Sequence, residues 1–276
     1  MIRRFGYLIM NILITGSAGF IGKNAVEYFS SAGHNITTYD IKTHSTHPAI
    51  KGHDWILHFG AISSTIEQDV EKILAYNFDY SRWLLSEAIK YNINLQWSSS
   101  ASVYGTDCKN FSEESPVSPK SPYAWSKYLF ERHIRESDLK GILAQGFRYF
   151  NVYGKYEEHK GDQASPFHKF KIQKEKDNQI NLFFGSDKYF RDFVPVEQVL
   201  KTHSYFLDIP ESGIWNVGTG RATSFYEVAQ SFNCPIKYTE MPEKIKKNYQ
   251  SYTRANLSKI IETFKKHEIH VEFLNT

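Results

Sequence analysis

The stretch "ILITGSAGFIGKNAVEYF", residues 12–29, decides the fold prediction. An apolar run typical of a buried strand is followed by Gly16, Gly19 and Gly22, and then by a helical pattern. Glycines at a strand-to-helix turn let the backbone approach a pyrophosphate, whose charge is stabilised by free N–H groups at the helix N-terminus. The spacing G-x-x-G-x-x-G therefore predicts a turn that binds a dinucleotide.

An acidic residue stands at the end of the second predicted strand. This residue is Asp40, eighteen residues after Gly22. Its carboxylate is expected to accept hydrogen bonds from an adenosine ribose, which favours NAD. Lys42 favours the opposite choice, because an ammonium group at this place can hold a 2′-phosphate. The sequence leaves the cofactor as NADP or NAD.

Strand and helix patterns alternate along the rest of the first half, through "NITTYD", "DWILHFGA", a long helical stretch over residues 65–91, and "LQWSSS". This alternation predicts an α/β fold with a Rossmann-like parallel sheet. Strand patterns come less regularly later in the chain, which predicts a smaller α/β substrate lobe. We expect a dinucleotide-binding domain over residues 10–152 plus about 192–211, and the substrate-binding lobe over about 153–191 plus 212–276.

The composition excludes some classes of function but does not identify one. The 276 residues are 41% hydrophobic and 23% charged, as in ordinary globular proteins, and the net charge of +3 gives no sign of nucleic-acid binding. Cys108 and Cys234 lie far apart, which is typical of a reducing compartment. No segment approaches the ~18 continuous apolar residues of a membrane helix. The expected location is the cytoplasm, with no membrane partner.

A cluster of serines in "QWSSSASVYG", residues 96–105, ends a further predicted strand. Ligands of open parallel sheets bind beyond the carboxyl ends of the strands, so Ser100 is expected to face the glycine turn. The next helix contains "YAWSK", with Tyr123 and Lys127 one turn apart on one face. Tyr123 is predicted to take a hydroxyl proton during hydride transfer, with Ser100 holding the same oxygen. Lys127 is predicted to favour the phenolate by its charge and to hold the cofactor ribose.

These three pieces, "TGSAGFIG", "SSSASVYG" and "YAWSK", resemble the extended short-chain dehydrogenase/reductase family of sugar-nucleotide enzymes. The resemblance covers nearly the whole chain. Five further blocks, "GFRYFNVYG" with "EHKGDQAS", "LFFGSDKYFRDFV", "GIWNVGTGRATSF" and "NYQSYTRANL", are most similar to its ADP-heptose 6-epimerase branch. The resemblance implies an isomerase that oxidises the C6 carbinol of an ADP-heptose to a ketone and returns the hydride to the opposite face.

Further site residues are implied by the same resemblance. Lys160 of "EHKG" is the implied second acid/base, and Arg191 suits a diphosphate because a guanidinium can bind phosphate oxygens with two hydrogen bonds. Cofactor contacts are implied at Phe20, Ile21, Phe59, Gly60, Ala61, Ile62, Ser63, Asn77, Tyr123, Lys127 and Val152. Substrate contacts are implied at Ser100, Asn151, Lys160, Asp162, His168, Phe183, Phe184, Gly185, Ser186, Arg191 and Tyr249.

Some features depart from the family pattern. Fifteen residues separate Asp40 from Ile56, whereas relatives have an additional strand and helix there, so we expect a sheet with one edge strand missing. Asp162 stands where the epimerases often carry serine. A shift of one residue would bring Lys169 to the place matched by His168. Three histidines, His44, His47 and His53, lie in the short connection without metal-ligand spacing, so no metal is expected.

Other functions remain open on the sequence. A 4,6-dehydratase is disfavoured, because Ser100, Ala101 and Ser102 stand where such enzymes carry T-D-E. A ketoreductase would use the same serine, tyrosine and lysine. A nucleotide-binding relative without catalysis is a further alternative, suggested by the missing strand. The expected partner is a nucleotide sugar, and the resemblance implies a homo-oligomer that pairs the helices near residues 65–91 and 123–137.

Overall fold

The protein is built around one large parallel sheet in the computed structural model, which describes residues 8–64, 67–243 and 250–271. The strands are β1 (Asn11–Thr15), β2 (Asn35–Tyr39), β3 (Trp55–His58), β4 (Asn94–Ser100), β5 (Ala144–Tyr149), β6 (Asn151–Tyr153), β7 (Ile180–Phe183), β8 (Phe190–Arg191), β9 (Phe193–Pro195), β10 (Gly213–Val217), β11 (Thr223–Ser224) and β12 (Ile236–Thr239). The large sheet has the order β10-β5-β4-β3-β1-β2, and every neighbouring pair is parallel.

The helices are α1 (Phe20–Ser31), α2 (Val70–Leu74), α3 (Tyr80–Tyr91), α4 (Pro122–Glu136), α5 (Pro166–Asp177), α6 (Val196–Phe206), α7 (Phe225–Gln230) and α8 (Ser258–Lys266), with a π-turn over Ala75–Asp79 between α2 and α3. Short 3₁₀ segments span Ala101–Tyr104, Glu158–Gln163 and Ser186–Lys188. None of the helices in the described ranges combines the length and apolar character that crossing a membrane requires.

Apolar side chains cover both faces of the sheet, which is why the central strands read as continuous hydrophobic runs. On one face, Leu13 of β1 packs in a cluster with α3 and α4, whose Leu84 and Phe130 are buried. On the other face, Ile12 and Ile14 pack with α1 and α6. The predicted Rossmann-like α/β fold is confirmed.

The edge of the sheet at β2 is the shortened one. Residues 41–54 run from Asp40 to β3 without forming a strand, and β2 pairs only with β1. The expected loss of one edge strand is therefore confirmed. The opposite edge is β10, which differs from the prediction that residues 212–276 belong to the smaller lobe. The apolar run "IWNV" is buried against β5, and this pairing joins it to the large sheet.

Small strand pairs make up the remaining part of the chain. The pairs β12–β7 and β6–β9 are parallel, and β11–β8 is antiparallel. Their apolar cluster includes Phe170 of α5, Leu182, Phe193 and Val228 of α7. These elements lie beside the carboxyl ends of the large sheet and close one side of a cleft.

Candidate active site

A cleft of about 1590 Å³ lies along the carboxyl ends of the parallel strands. Pockets for one small ligand measure about 300–1,000 Å³, so this cleft has room for two ligands. Of the predicted site residues, it is lined by Gly16, Gly19, Phe20, Ile21, Gly22, Asp40, Lys42, Phe59, Gly60, Ala61, Ile62, Ser63, Ser100, Tyr123, Lys127, Asn151, Val152, Lys160, Asp162, Phe183 and Ser186. Asn77, His168, Phe184, Gly185 and Arg191 do not line it, and Tyr249 lies outside the described residues.

The glycine turn joins β1 to α1 at one end of this cleft. Gly16 has a φ of 76°, and a Cβ atom there would overlap the backbone of Gly60. A Cβ atom on Gly22 would overlap the carbonyl oxygen of Gly16. Gly19 is the N-cap of α1, and no side chain caps the helix. The first turn of α1 therefore presents backbone N–H groups to the cleft, in the arrangement that binds phosphate.

Asp40 connects the end of β2 to the glycine turn. Its side chain is buried, and its carboxylate accepts hydrogen bonds from the N–H of Ala18 at 3.0 Å and from the N–H of Lys42 at 3.0 Å. A carboxylate has about four lone-pair positions, so these two bonds leave capacity for ribose hydroxyls. Binding of the cofactor ribose by Asp40 stays a prediction.

Asn77 acts differently from the prediction. Its side chain is buried and bonds to protein groups: it accepts from the N–H of Ile62 at 2.7 Å and donates to the Ile62 carbonyl and the Ser126 hydroxyl at 3.0 Å each. The amide is thus occupied in fixing the segment 59–63. Asn77 supports the cofactor wall from behind and does not line the cleft itself.

Ser100, Tyr123 and Lys127 come together at the middle of the cleft. Ser100 is the last residue of β4. The helix α4 is capped at its start by Ser121, whose hydroxyl oxygen accepts a hydrogen bond from the N–H of Ala124 at 3.2 Å. The Ser100 side chain lies close enough to the Tyr123 phenol to lower its pKa. Lys127 donates to the carbonyl oxygen of Ser98 at 2.9 Å, and its Nζ lies 5.9 Å from the centroid of the Tyr123 ring.

Burial is the main influence on the pKa values of Tyr123 and Lys127. Tyr123 is half-buried and lines the cleft, burial raises its pKa, and the nearby Ser100 side chain opposes that rise. Burial also lowers the pKa of Lys127 to about 8, with the carboxylate of Glu131 acting in the opposite direction. The expected lowering of the Tyr123 pKa by Lys127 is therefore outweighed in the protein alone, because desolvation disfavours the phenolate.

Lys160 lies in the 3₁₀ segment Glu158–Gln163 and lines the same cleft. Its side chain is only 20% exposed, and its Nζ is 3.8 Å from a carboxylate oxygen of Glu157 and 4.9 Å from the centroid of the Phe20 ring. Burial lowers the pKa of Lys160, and Glu157 opposes that shift. Glu157 is itself fully buried and accepts hydrogen bonds from the N–H of Gly154 at 3.0 Å and the N–H of Ser165 at 2.6 Å.

The predicted diphosphate segment is only partly at the cleft. Phe183 and Ser186 line it, whereas Phe184 is 56% exposed and stacks on Tyr238 with 5.5 Å between ring centroids. Arg191 is buried and donates to the carbonyl oxygen of Phe190 at 2.8 Å, so its direct contact with a diphosphate is not supported.

The alternative one-residue shift near His168 is favoured. Lys169 lines the cleft and donates to the backbone carbonyl of Asp162 at 2.7 Å. His168 lies one position earlier on α5, where its backbone N–H donates to the Ser165 hydroxyl at 3.2 Å. Of the two residues, only Lys169 lines the cleft.

A sequence model of the NAD-dependent epimerase/dehydratase family matches residues 12–218, which include the glycine turn and the Ser100, Tyr123 and Lys127 group. The chain belongs to this family. A curated relative, the ADP-L-glycero-D-manno-heptose-6-epimerase of Brachyspira hyodysenteriae, is 34% identical over 288 aligned positions that cover 90% of each chain. The chain is thus an NAD-dependent enzyme of the epimerase/dehydratase type.

Solved structures share the fold. The ADP-L-glycero-D-manno-heptose-6-epimerase of Helicobacter pylori superposes with a TM-score of 0.81 at 23% identity, covering 96% of this chain and 93% of that one. The UDP-glucose 4-epimerase of Thermus thermophilus, solved as a complex with NAD, superposes with a TM-score of 0.74 at 24% identity, covering 95% and 94%.

The residues of this family member fit NAD. The side-chain-free surface of the glycine turn accommodates a pyrophosphate, and the N-terminus of α1 offers N–H groups to it. The Asp40 carboxylate, beside the glycine turn, has acceptor capacity that a ribose could use, and Lys127 lines the cleft from α4. Within the described residues, no group of three or more His, Cys, Asp or Glu side chains is arranged to hold a metal ion.

Sequence reasoning missed several residues of this site. Glu157 is one, and the spacing of three residues between an acid and Lys160 in "EEHK" was the available signal. Tyr76, Tyr80 and Tyr149 also line the cleft. These tyrosines carry no local motif, and only the packing of their helices and strand brings them there.

Proposed function

We propose that the protein is a sugar-nucleotide epimerase that inverts the C6 carbinol of an ADP-heptose. The name of the 34% identical relative supports the substrate class. The observation that carries the reaction type is the presence of two ionisable groups, Tyr123 and Lys160, on one cleft. Inversion through a ketone needs the carbinol oxygen to lose a proton when the hydride leaves, and to regain a proton when the hydride returns to the opposite face of the carbon. Two separate acid/base groups can serve that oxygen in the two orientations of the ketone.

Tyr123 is the group that takes the carbinol proton in the first half-reaction. Ser100, whose side chain opposes the rise of the Tyr123 pKa, holds the same substrate oxygen. Bound NAD supplies the hydride acceptor and donor. Lys127 keeps positive charge beside the tyrosine and, through its bond to Ser98, ties α4 to the end of β4.

Lys160 serves the second half-reaction, after the ketone presents its other face. Burial lowers the pKa of Lys160 and so makes the neutral amine more accessible, while Glu157 opposes this shift and favours the ammonium form. A lysine in this balance can donate a proton to the re-forming hydroxyl or accept one from it. Asn151, Asp162, Lys169, Phe183 and Ser186 are the proposed substrate contacts on this side of the cleft.

Finer features belong to the same proposal. NADP is the alternative cofactor, because burial together with the nearby charges of Lys42, Lys23 and Lys160 lowers the pKa of the His159 imidazole, which indicates a basic region beside Asp40. We also propose a homo-oligomer, a cytoplasmic location, no nucleic-acid partner, and the two-lobe division with β10 moved to the sheet domain.

A ketoreductase remains the alternative, since Ser100, Tyr123 and Lys127 suit both reactions. The distinction lies in the cofactor: an epimerase returns the hydride and recycles NAD, whereas a reductase consumes the reduced cofactor in stoichiometric amounts.

The test is proton NMR of ADP-D-glycero-D-manno-heptose incubated with the purified protein and catalytic NAD, repeated with NADP. We expect the L-glycero epimer to appear without net cofactor reduction, and Lys160→Met to abolish its formation without loss of NAD binding. An unchanged heptose in the presence of protein that binds NAD would refute the ADP-heptose assignment. Net oxidation of the reduced cofactor would favour the ketoreductase.

A further inference from the structure

Aromatic rings cover the sheet edge where one strand is missing. Residues 41–54 form no strand beside β2, so nothing of the sheet itself extends past Tyr39 on this side. The ring of Tyr80 stacks on Tyr39 with 6.1 Å between centroids and an interplanar angle of 9°. On the same side His47 stacks on Tyr80 at 5.6 Å and on Trp83 at 4.1 Å. The segment 41–54 is thus held against α3 through His47, and the Tyr80 ring lies beside the edge strand β2.

The π-turn between α2 and α3 brings these rings to the cleft. The N–H of Tyr80 bonds to the carbonyl of Ala75, five residues earlier, which inserts one residue into the helical path. Asn77 within this turn is locked onto Ile62. Both Tyr76 and Tyr80 consequently line the cleft. Single π-turns of this kind are frequent at functional sites, because the extra residue redirects side chains at a cost in helix stability.

The two tyrosines present different surfaces to a ligand. Tyr76 is 39% exposed and offers a free aromatic face. The hydroxyl of Tyr80 is buried and has no well-formed hydrogen bond to the described residues, although the hydroxyl of Tyr39 is near enough for each phenol to affect the other's pKa. An unsatisfied buried hydroxyl costs about 1–3 kcal/mol, so a ligand that satisfied it would gain affinity.

The adenosine half of NAD must lie at this end of the cleft. The pyrophosphate belongs at the N-terminus of α1 and the ribose beside Asp40, which directly follows Tyr39. An adenine ring that extends past Asp40 would come near Tyr80, which stacks on the neighbouring Tyr39, and near Tyr76 in the π-turn before it, both of which line the cleft.

We propose that Tyr76 and Tyr80 form the adenosine-binding wall in place of the missing strand. The face of Tyr76 stacks on the adenine ring, and the Tyr80 hydroxyl hydrogen-bonds to the adenosine. The inference rests on the NAD dependence of the family and not on the identity of the sugar, so it stands or falls separately from the proposed epimerase substrate.

The test is calorimetric binding of NAD and of nicotinamide mononucleotide, which lacks the adenosine, to the wild-type protein and two variants. Tyr80→Phe removes only the hydroxyl and is expected to weaken NAD binding by about fivefold to tenfold, the equivalent of one hydrogen bond. Tyr76→Ala is expected to weaken it by about tenfold or more, as the loss of a base-stacking partner does. Neither variant should change the affinity for nicotinamide mononucleotide.

Two controls keep the result specific. Tyr91→Ala removes a similarly exposed tyrosine at the far end of α3, outside the cleft, and should leave NAD binding unchanged. The midpoint of thermal unfolding reports whether each variant is folded. Unchanged NAD affinity in both Tyr80→Phe and Tyr76→Ala would overturn the proposal, and so would an equal loss of affinity for the mononucleotide.

Discussion

Desolvation sets the resting protonation of the residues proposed to do the chemistry. Tyr123 is held as the neutral phenol, because burial raises its pKa by more than the nearby Ser100 side chain lowers it. Lys127, with a pKa of about 8, carries its charge at neutral pH but holds the proton weakly. Proton transfer to or from Tyr123 therefore depends on positive charge that the completed site brings close to its hydroxyl.

Replacing Tyr123 by phenylalanine should remove the chemistry and keep the binding site. We expect kcat for epimerisation to fall by about 10²–10⁴, the usual contribution of general acid–base catalysis. NAD affinity should stay the same, because the ring and its packing are retained. The matched control is Tyr128→Phe, on the same helix and outside the cleft, which should retain full activity. Near-normal turnover by Tyr123→Phe would show that another group takes the proton.

Lys127 also makes the stability of the fold depend on pH. Because its pKa is about 8 in the folded protein and about 10.4 in the unfolded chain, the unfolded chain binds more protons between these values. The contribution of Lys127 to the free energy of unfolding therefore rises with pH across this window and is least favourable below pH 8.

The variant Lys127→Met removes this dependence. The free energy of unfolding of the wild type relative to Lys127→Met is expected to increase by up to about 3 kcal/mol between pH 7 and pH 10.4. Urea unfolding of both proteins at several pH values measures the difference. A difference that stayed constant, or that decreased with pH, would contradict the lowered pKa.

At the scale of elements, two turns shape the cofactor end of the cleft. The glycine turn needs close backbone contacts between Gly16, Gly22 and Gly60, and the π-turn needs the anchored side chain of Asn77. Both turns bring one element into direct contact with the main chain of the segment 59–63. Small changes in either turn should therefore affect cofactor binding before they affect folding.

Gly22→Ala tests the glycine turn. The added methyl group would overlap the carbonyl oxygen of Gly16 and force the backbone at the N-terminus of α1 to shift. We expect NAD binding to weaken by about tenfold or more, since phosphate sites depend on the position of these N–H groups. Ser31→Ala, at the exposed far end of the same helix, is the control and should bind NAD normally. The comparison is a calorimetric titration of each variant.

Local patterns account for what the sequence could predict at this scale. Each pattern that predicted a site residue lies within one turn or one helix face. The patterns are the spacing of the glycines, an acid at the end of a strand, and a tyrosine four residues before a lysine. Other contacts depend on partners outside those local patterns. They are the hydrogen bonds of Asn77 to Ile62, of Glu157 to Ser165 and of Arg191 to the Phe190 carbonyl. The pairing of β10 with β5 is non-local too, and its sequence looked no different from that of a strand in a second lobe.

At the scale of the whole molecule, the cleft is lined by residues at the carboxyl ends of the large sheet and by residues of the small strand pairs and α5, and we propose that the cofactor binds against the large sheet. Tyr123 projects from the first and Lys160 from the segment that leads into the second. The cleft is large enough for two ligands, so NAD and a nucleotide sugar can lie between these two groups.

In the proposed mechanism, the C6 centre is inverted by removal and return of a hydride within this cleft. The most direct measurement is the deuterium content at C6 of the product when ADP-D-glycero-D-manno-heptose is converted in D₂O with catalytic NAD. We predict the L-glycero epimer with ordinary hydrogen at C6, because the hydride does not exchange with solvent. Deuterium at C6 would mean that the carbon loses a proton to solvent, and it would contradict the account.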